Sequence, residues 1–279
     1  MIRNLLLGAG LAVAFAGSAH AQSNGDLVKR GEYLANTIMT CGNCHSPKGP
    51  QGDIVGKHFS GGLSWDEPPF KVTAPNITQD KETGIGSWTD EQIKTALRTG
   101  KRPNGVQLAM VMPTNFYQII SDRDMNAIVA YLRTLKPISN KVPDPIYKMQ
   151  QIHHAFPGTD KPYTEAMTND KVKKGFYLAM IGHCMECHTP FGKAGLDVGR
   201  IGAGGREFPG PWGVSKSRNI TPKGIGSWSD AEVKRAITTG TSKDGSKLKP
   251  PMGFHYYSNM TDGDLDAVIA YLRTMPARE

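Results

Sequence analysis

The sequence predicts an all-α fold of two tandem domains joined by irregular chain, and three observations predict it. A pentapeptide, Cys41-Gly42-Asn43-Cys44-His45, returns as Cys184-Met185-Glu186-Cys187-His188. Landmarks around it recur in the same order: Gly31-Glu32-Tyr33-Leu34-Ala35 with Gly175-Phe176-Tyr177-Leu178-Ala179, Asn76-Ile77-Thr78 with Asn219-Ile220-Thr221, Gly84-Ile85-Gly86-Ser87-Trp88 with Gly224-Ile225-Gly226-Ser227-Trp228, and Ala130-Tyr131-Leu132-Arg133-Thr134 with Ala270-Tyr271-Leu272-Arg273-Thr274. Such a repeat is a tandem duplication. Third, the segments between the landmarks carry helical spacing and few alternate as strands do, while the 32 glycines and 19 prolines mark long loops.

Taken in order, residues 1–21 read as an export signal: Arg3 supplies positive charge, Leu5 to Ala16 is apolar, and Ala19-His20-Ala21 fits a small-x-small cleavage site before Gln22. No later apolar run is long enough to span a bilayer, so the expectation is a periplasmic protein with no integral membrane span after cleavage. The repeat divides the rest into a first domain, 22–136, a linker, 137–169, and a second domain, 170–279.

Each domain should open with a helix, about Leu27 to Ile38 and about Val172 to Met180. Thr89-Asp90-Glu91-Gln92 and Ser229-Asp230-Ala231-Glu232 are capping boxes whose helices stop near Gly100 and Gly240. Ser121-Asp122-Arg123-Asp124 and Thr261-Asp262-Gly263-Asp264 start a last helix in each half. Its apolar stripe is Met125, Ile128, Val129 and Leu132, matched by Leu265, Val268, Ile269 and Leu272. The linker holds five prolines and the pair His153-His154, has no counterpart in either repeat, and is expected to lie over or between the domains.

The pentapeptide carries the chemistry. Two thiols three residues apart with an imidazole directly after them form the attachment signature of c-type haem, and two copies predict two covalently bound haems. Cys41, Cys44, Cys184 and Cys187 would hold the porphyrins, and His45 and His188 would bind iron. A zinc site or a redox dithiol also uses paired cysteines, but neither needs a histidine after both pairs. The chain has only these four cysteines, so haem attachment leaves no disulfide to form.

The repeat then works as a ruler. From the first Cys to Asn-Ile-Thr is 35 positions in both halves, and from Trp88 to Met112 and from Trp228 to Met252 is 24 in both. Between these marks only the loop around Asp80 to Thr83 differs, by three residues. An electron-transfer haem needs a sixth ligand, and a thioether stabilises ferrous iron. Of twelve methionines, Met112 and Met252 are matched in position and sit beside Pro113 and Pro251, which marks them as the axial pair. Met110 competes in the first half, but its counterpart is Pro250. His58, His153, His154, His183 and His255 have no matched partner and read as surface or packing residues. Trp88, Trp228, Asn76 and Asn219 could hydrogen-bond haem propionates, or equally serve as core tryptophans and turn asparagines.

Each half resembles a class I cytochrome c domain, through Gly31 and Tyr33 (Gly175 and Tyr177), the Cys-x-x-Cys-His segment, a central helix, a Met loop and a final helix ending in Ala-Tyr-Leu-Arg. The resemblance implies two tandem class I cytochrome c domains with long loops around covalent haem. It also implies that Gly31 faces Tyr131 and that Gly175 faces Tyr271 where the first and last helices cross. The stretch from Asn-Ile-Thr to Ala-Tyr-Leu-Arg is similar to cytochrome c subunits of periplasmic alcohol and aldehyde dehydrogenases. Those commonly carry three haem motifs and a membrane-binding tail, whereas two motifs and no tail are read here.

The expected function is transfer of single electrons between a donor dehydrogenase or quinol-linked complex and an acceptor cytochrome or oxidase, without a catalytic constellation of its own. The alternatives are a dihaem enzyme of the peroxidase or thiosulfate dehydrogenase type, and a tightly bound subunit of a dehydrogenase complex. The formal charge of +8 falls by one when Arg3 is removed, and two haems return about four propionate charges, so the chain is modestly basic. Lys173-Lys174 and Lys243 to Lys249 could form a basic rim for an acidic redox partner. Nucleic acid is not expected as a partner, since export and haem chemistry already account for the chain. Haem quantification on the purified protein should return two covalent haems per chain, and a single haem would contradict the reading.

Overall fold

The computed structural model describes residues 23–50, 52–193 and 195–279. The expected export signal, 1–21, lies outside the described residues. Helix α1, Asn24–Tyr33, starts where the Ser23 hydroxyl accepts from the Asp26 amide, and runs into one π turn, Leu34–Ile38. The short α2, Cys41–His45, carries the first motif. Two hairpins follow, β1 (Lys48–Gly49) with β2 (Gly52–Asp53) and β3 (Ser64–Glu67) with β4 (Phe70–Thr73). Then come α3 (Asp90–Thr99), α4 (Thr114–Tyr117) and α5 (Asp122–Thr134). Linker strand β5, Ile146–Tyr147, adds to β4.

The second half repeats the plan with α6 (Lys171–Ile181), α7 (Cys184–His188), the hairpins β6 (Phe191–Gly192) with β7 (Gly195–Leu196) and β8 (Glu207–Gly210) with β9 (Gly213–Lys216), then α8 (Pro222–Ile225), α9 (Asp230–Thr239), α10 (Phe254–Tyr257) and α11 (Asp262–Thr274). Helix accounts for 40% and strand for 12%, so the all-α expectation describes the core while the loops add small antiparallel ladders. Ladders of two to four residues are too short to show a period of two in sequence.

The local signals are realised as read. Both capping boxes close, and Gly100 and Gly240 end α3 and α9 in left-handed backbone at φ 72° and 63°. The π turn was not expected, and it has a plain cause. Gly31 to Cys41 is one residue longer than Gly175 to Cys184, and a π turn is how a helix absorbs one inserted residue.

In each half the first and last helices cross at a glycine. A Cβ on Gly31 would lie 1.8 Å from the Ala127 carbonyl oxygen and 2.8 Å from the Tyr131 Cβ; on Gly175 it would lie 1.8 Å from the Ala267 oxygen and 2.9 Å from the Tyr271 Cβ. The expected pairing of Gly31 with Tyr131 and of Gly175 with Tyr271 is therefore present. The repeated arginines act alike: Arg133 and Arg273 each donate to the carbonyl of the tryptophan in their own half, Trp88 and Trp228.

The halves share one hydrophobic core, in which Leu34, Ile38, Phe116 and Met125 join Tyr177, Leu178, Met180 and Ile269. Reciprocal bonds tie them. The Tyr33 hydroxyl donates to Asp264 at 2.6 Å, and the Tyr177 hydroxyl donates to Asp124 at 2.8 Å. Arg30 grips Asp124 with two bonds and Lys174 meets Asp264 at 2.5 Å, so each buried carboxylate keeps a cation from its own half and a tyrosine from the other. Burial and Asp264 push the Tyr33 hydroxyl up to about 12, which keeps it a donor.

The linker lies against both halves: Tyr163 stacks on Tyr177 of the second, ring centroids 5.4 Å apart, and the rest packs on the first. Phe156 packs on Phe116 with ring centroids 4.6 Å apart, and His153 is bonded through Nδ1 to the Thr114 hydroxyl and through Nε2 to the Leu108 carbonyl. His153 thus packs against the Met112 loop, while His154 is exposed. Gly31→Ala or Gly175→Ala should lower stability by about 3 kcal/mol, because backbone must separate to admit the methyl group. Urea unfolding checks this, and an unchanged midpoint would contradict the tight crossing.

Candidate haem-binding sites

A turn of helix presents each cysteine pair, and the preceding residue is bent to launch it. Thr40 and His183 occupy matched positions with left-handed backbone, φ 48° and 41°, where non-glycine residues are uncommon. Burial pushes the thiols of Cys41, Cys44 and Cys187 up to about 12 and that of Cys184 up to about 11. Neutral thiols are poor dithiol nucleophiles. Among the described residues no group of three or more His, Cys, Asp or Glu side chains is placed to hold a metal ion, so the cysteine pairs do not converge on zinc.

The histidines are held by backbone. The His45 ring donates from Nδ1 to the Pro75 carbonyl at 2.7 Å, and the His188 ring donates from Nδ1 to the Arg218 carbonyl at 2.6 Å. A carbonyl only accepts, so each Nδ1 carries the proton and each Nε2 keeps its lone pair for a metal. Burial lowers both pKa values, which keeps the imidazoles neutral. The carbonyl oxygens of His45 and His188 accept in turn from Gly61 and Gly204, at 2.8 and 2.7 Å; both glycines lie in left-handed backbone. A neutral imidazole with a fixed tautomer beside two neutral thiols is the donor set covalent haem requires, and the residues fit that group.

The repeated Asn-Ile-Thr follows directly after each acceptor carbonyl. Asn76 Oδ1 accepts from the Thr78 amide and hydroxyl, while its amide nitrogen donates to the Ile138 carbonyl and the Thr83 hydroxyl. Asn219 repeats this with Thr221 and the Arg278 carbonyl. The asparagines thus anchor the turn that aims the carbonyl at the histidine. Trp88 and Trp228 are half-buried against the core, and their indole N–H groups take no acceptor among the described residues.

Met112 and Met252 sit in loops built alike: Leu108 and Leu248 donate to the carbonyls of Gly100 and Gly240, and the Met112 and Met252 carbonyls accept from Thr114 and Phe254. Met112 is half-buried against the core, Met252 is half-buried, and Met110 is 41% exposed.

The two motifs lie near one another. Gly182, before the second motif, is so close to the Ile38 carbonyl that a Cβ there would lie 3.2 Å from it. His183 bridges the halves, bonding through Nε2 to the Met39 carbonyl at 3.3 Å and through Nδ1 to Glu186 at 3.0 Å. Sequence reasoning missed Pro75 and Arg218, which act through backbone oxygens, although one signal existed: both lie 30 residues after their histidine.

Residues 28–136 and again residues 172–276 match the profile of the Cytochrome c family. The chain belongs to the cytochrome c family. It is 32% identical to the alcohol dehydrogenase (quinone) cytochrome c subunit of Gluconobacter oxydans, over 96% of this chain and 58% of the relative. It is 31% identical to the gluconate 2-dehydrogenase cytochrome c subunit of Pantoea cypripedii, over 96% of this chain and 64% of the relative. A diheme cytochrome c-type protein of Cereibacter sphaeroides is 31% identical, over 86% of this chain and 83% of its own length. This cytochrome therefore spans less than two thirds of the dehydrogenase subunits it matches. Among the described residues no helix is long and apolar enough to cross a membrane. Asn76→Ala should cost about 2 kcal/mol by leaving the Thr78 amide unpaired and the Ile138 carbonyl with only the Thr78 hydroxyl, at 3.4 Å. Thermal unfolding measures it, and an unchanged Tm would contradict the anchoring role.

Proposed function

We propose that this cytochrome is a periplasmic dihaem electron carrier that takes single electrons from a dehydrogenase or quinol-linked donor and yields them to an acceptor cytochrome or oxidase. The observation that carries this reading is the imidazole-to-carbonyl bond found once in each half, which prepares two separate nitrogens for iron. When bound, covalent haem c supplies a one-electron Fe(III)/Fe(II) couple. Cys41, Cys44, Cys184 and Cys187 would hold it, His45 and Met112 would be the axial pair of the first site, and His188 and Met252 those of the second. Trp88 and Trp228 are the better propionate donors, since Asn76 spends both N–H groups on protein acceptors.

With His45 and Met112, and His188 and Met252, as its iron ligands, haem would suit electron transfer, because the chain would keep both ligands in either oxidation state. Nearness of the motifs supports a relay: Glu186 raises the Cys44 thiol, and Cys44 in turn helps raise Cys187. Exposed Lys243, Lys247 and Lys249 lie on the loop leading to Met252 and would steer an acidic partner toward that site. A second reading, a cytochrome subunit held in a dehydrogenase complex, is favoured by the relatives that bear such names. Copurification of a catalytic subunit from the periplasm would support the second reading, and isolation of the cytochrome alone would support the first.

Met112→Ala and Met252→Ala should each remove one of two sulfur-to-iron charge-transfer bands from the oxidised spectrum, and survival of both bands would overturn the ligand assignment. Raising the salt concentration should slow electron transfer to the natural acceptor, as screening weakens docking of opposite charges. A rate indifferent to salt would remove the basic rim.

A further inference from the structure

The two sites are alike in their ligands and unlike in their charge. Gly61-Gly62-Leu63 of the first half is matched by Gly204-Gly205-Arg206 of the second, where the same glycine amide bonds to the axial histidine carbonyl. At that one position, just before strands β3 and β8, an apolar side chain in one half corresponds to an arginine in the other.

Arg206 is held in place. Its guanidinium carbon lies 4.0 Å from the centre of the Phe191 ring and 5.2 Å from that of Phe208, and Nη1 donates to the carbonyl of Glu186 inside the second motif. Among the described residues it makes no ion pair with a carboxylate. Its charge reaches the attachment site by geometry, since the Glu186 carbonyl it bonds is one residue before Cys187. The first site has a cation too, Lys48, but that one is paired with Asp53. Phe191 and Leu196 occupy the places of Lys48 and Asp53 in the second half. Glu186 lies between the motifs, paired with His183, which itself bonds the Met39 carbonyl beside the first motif, so it does not tell the two sites apart.

We propose that Arg206 makes the second Cys-x-x-Cys-His site the stronger electron acceptor of the two, so that an electron received by the chain resides there. The physical basis is that reduction adds one negative charge with no bond made or broken. A fixed, unpaired guanidinium beside one site favours the added charge there and not at the other. Arg206 stays protonated in both redox states, so no proton accompanies the electron. Arg206 is a positioning and tuning residue rather than an iron ligand, and its role rests on the two-haem reading above.

The test is a stepwise reductive titration of the full holoprotein after its covalent haem content has been measured. In the unaltered protein the two midpoints should be separated by a preference of about tenfold or more for the upper site, about 59 mV for a one-electron couple. Arg206→Leu should lower the upper midpoint by about that amount and leave the lower one in place. Arg206→Lys should retain most of the separation, and Leu63→Arg, at a half-exposed position, should raise the lower midpoint instead. Two haems with midpoints unmoved by Arg206→Leu, or both moved equally, or only the lower one lowered, would overturn the role of Arg206. A haem content of one would overturn the two-haem reading itself.

Discussion

The bond from a ring Nδ1 to a backbone carbonyl is the constraint on which the rest of this cytochrome depends. It decides which nitrogen of His45 and His188 can meet a metal, and it ties the motif helix to a loop 30 residues away. The surrounding chain serves that bond. Asn76 and Asn219 anchor the turn carrying the acceptor, and Gly61 and Gly204 hold the other side of the histidine. The glycine crossing of α1 with α5 and of α6 with α11 sets the scaffold on which the motif helices sit.

Duplication has not produced two beads on a string. The halves bury a common core, and Asp124 and Asp264 each take a tyrosine from the opposite half. Burying a carboxylate is costly, and it is tolerated here because Arg30 or Lys174 and a phenol surround it. Such a pair is weak evidence for stability but good evidence for geometry, since its members must meet in one arrangement. The orientation of one attachment site to the other is therefore set by core and buried polar bonds. The linker bridges the halves as well, through Tyr163, which stacks on Tyr177 of the second half and bonds the Ile119 carbonyl of the first.

Much of this was legible in the sequence because its signals are local or repeated. Capping boxes at Thr89 and Ser229, terminal glycines at 100 and 240, and the crossing of Gly31 with Tyr131 all appear where expected. What escaped was of two kinds. The carbonyls of Pro75 and Arg218 belong to backbone, which any residue supplies, so residue identity carries no trace of them. The tyrosine–aspartate ties join residues as far apart as 231 positions, and nothing in a local pattern announces such a partner. His183 lacked a matched histidine and read as surface or packing, yet it bridges Met39 and Glu186 because the motifs face each other. The asymmetry at Leu63 and Arg206 is in sequence a bare mismatch, whereas in the fold the rings of Phe191 and Phe208 hold the guanidinium.

The most direct measurement of the central claim, two iron sites each prepared by a carbonyl-held imidazole and closed by a thioether, is proton NMR of the fully reduced holoprotein. The account predicts two ring-current-shifted methionine methyl signals and two imidazole Nδ1 protons protected from exchange. One methyl signal, or imidazole protons that exchange at the rate of free histidine, would contradict it.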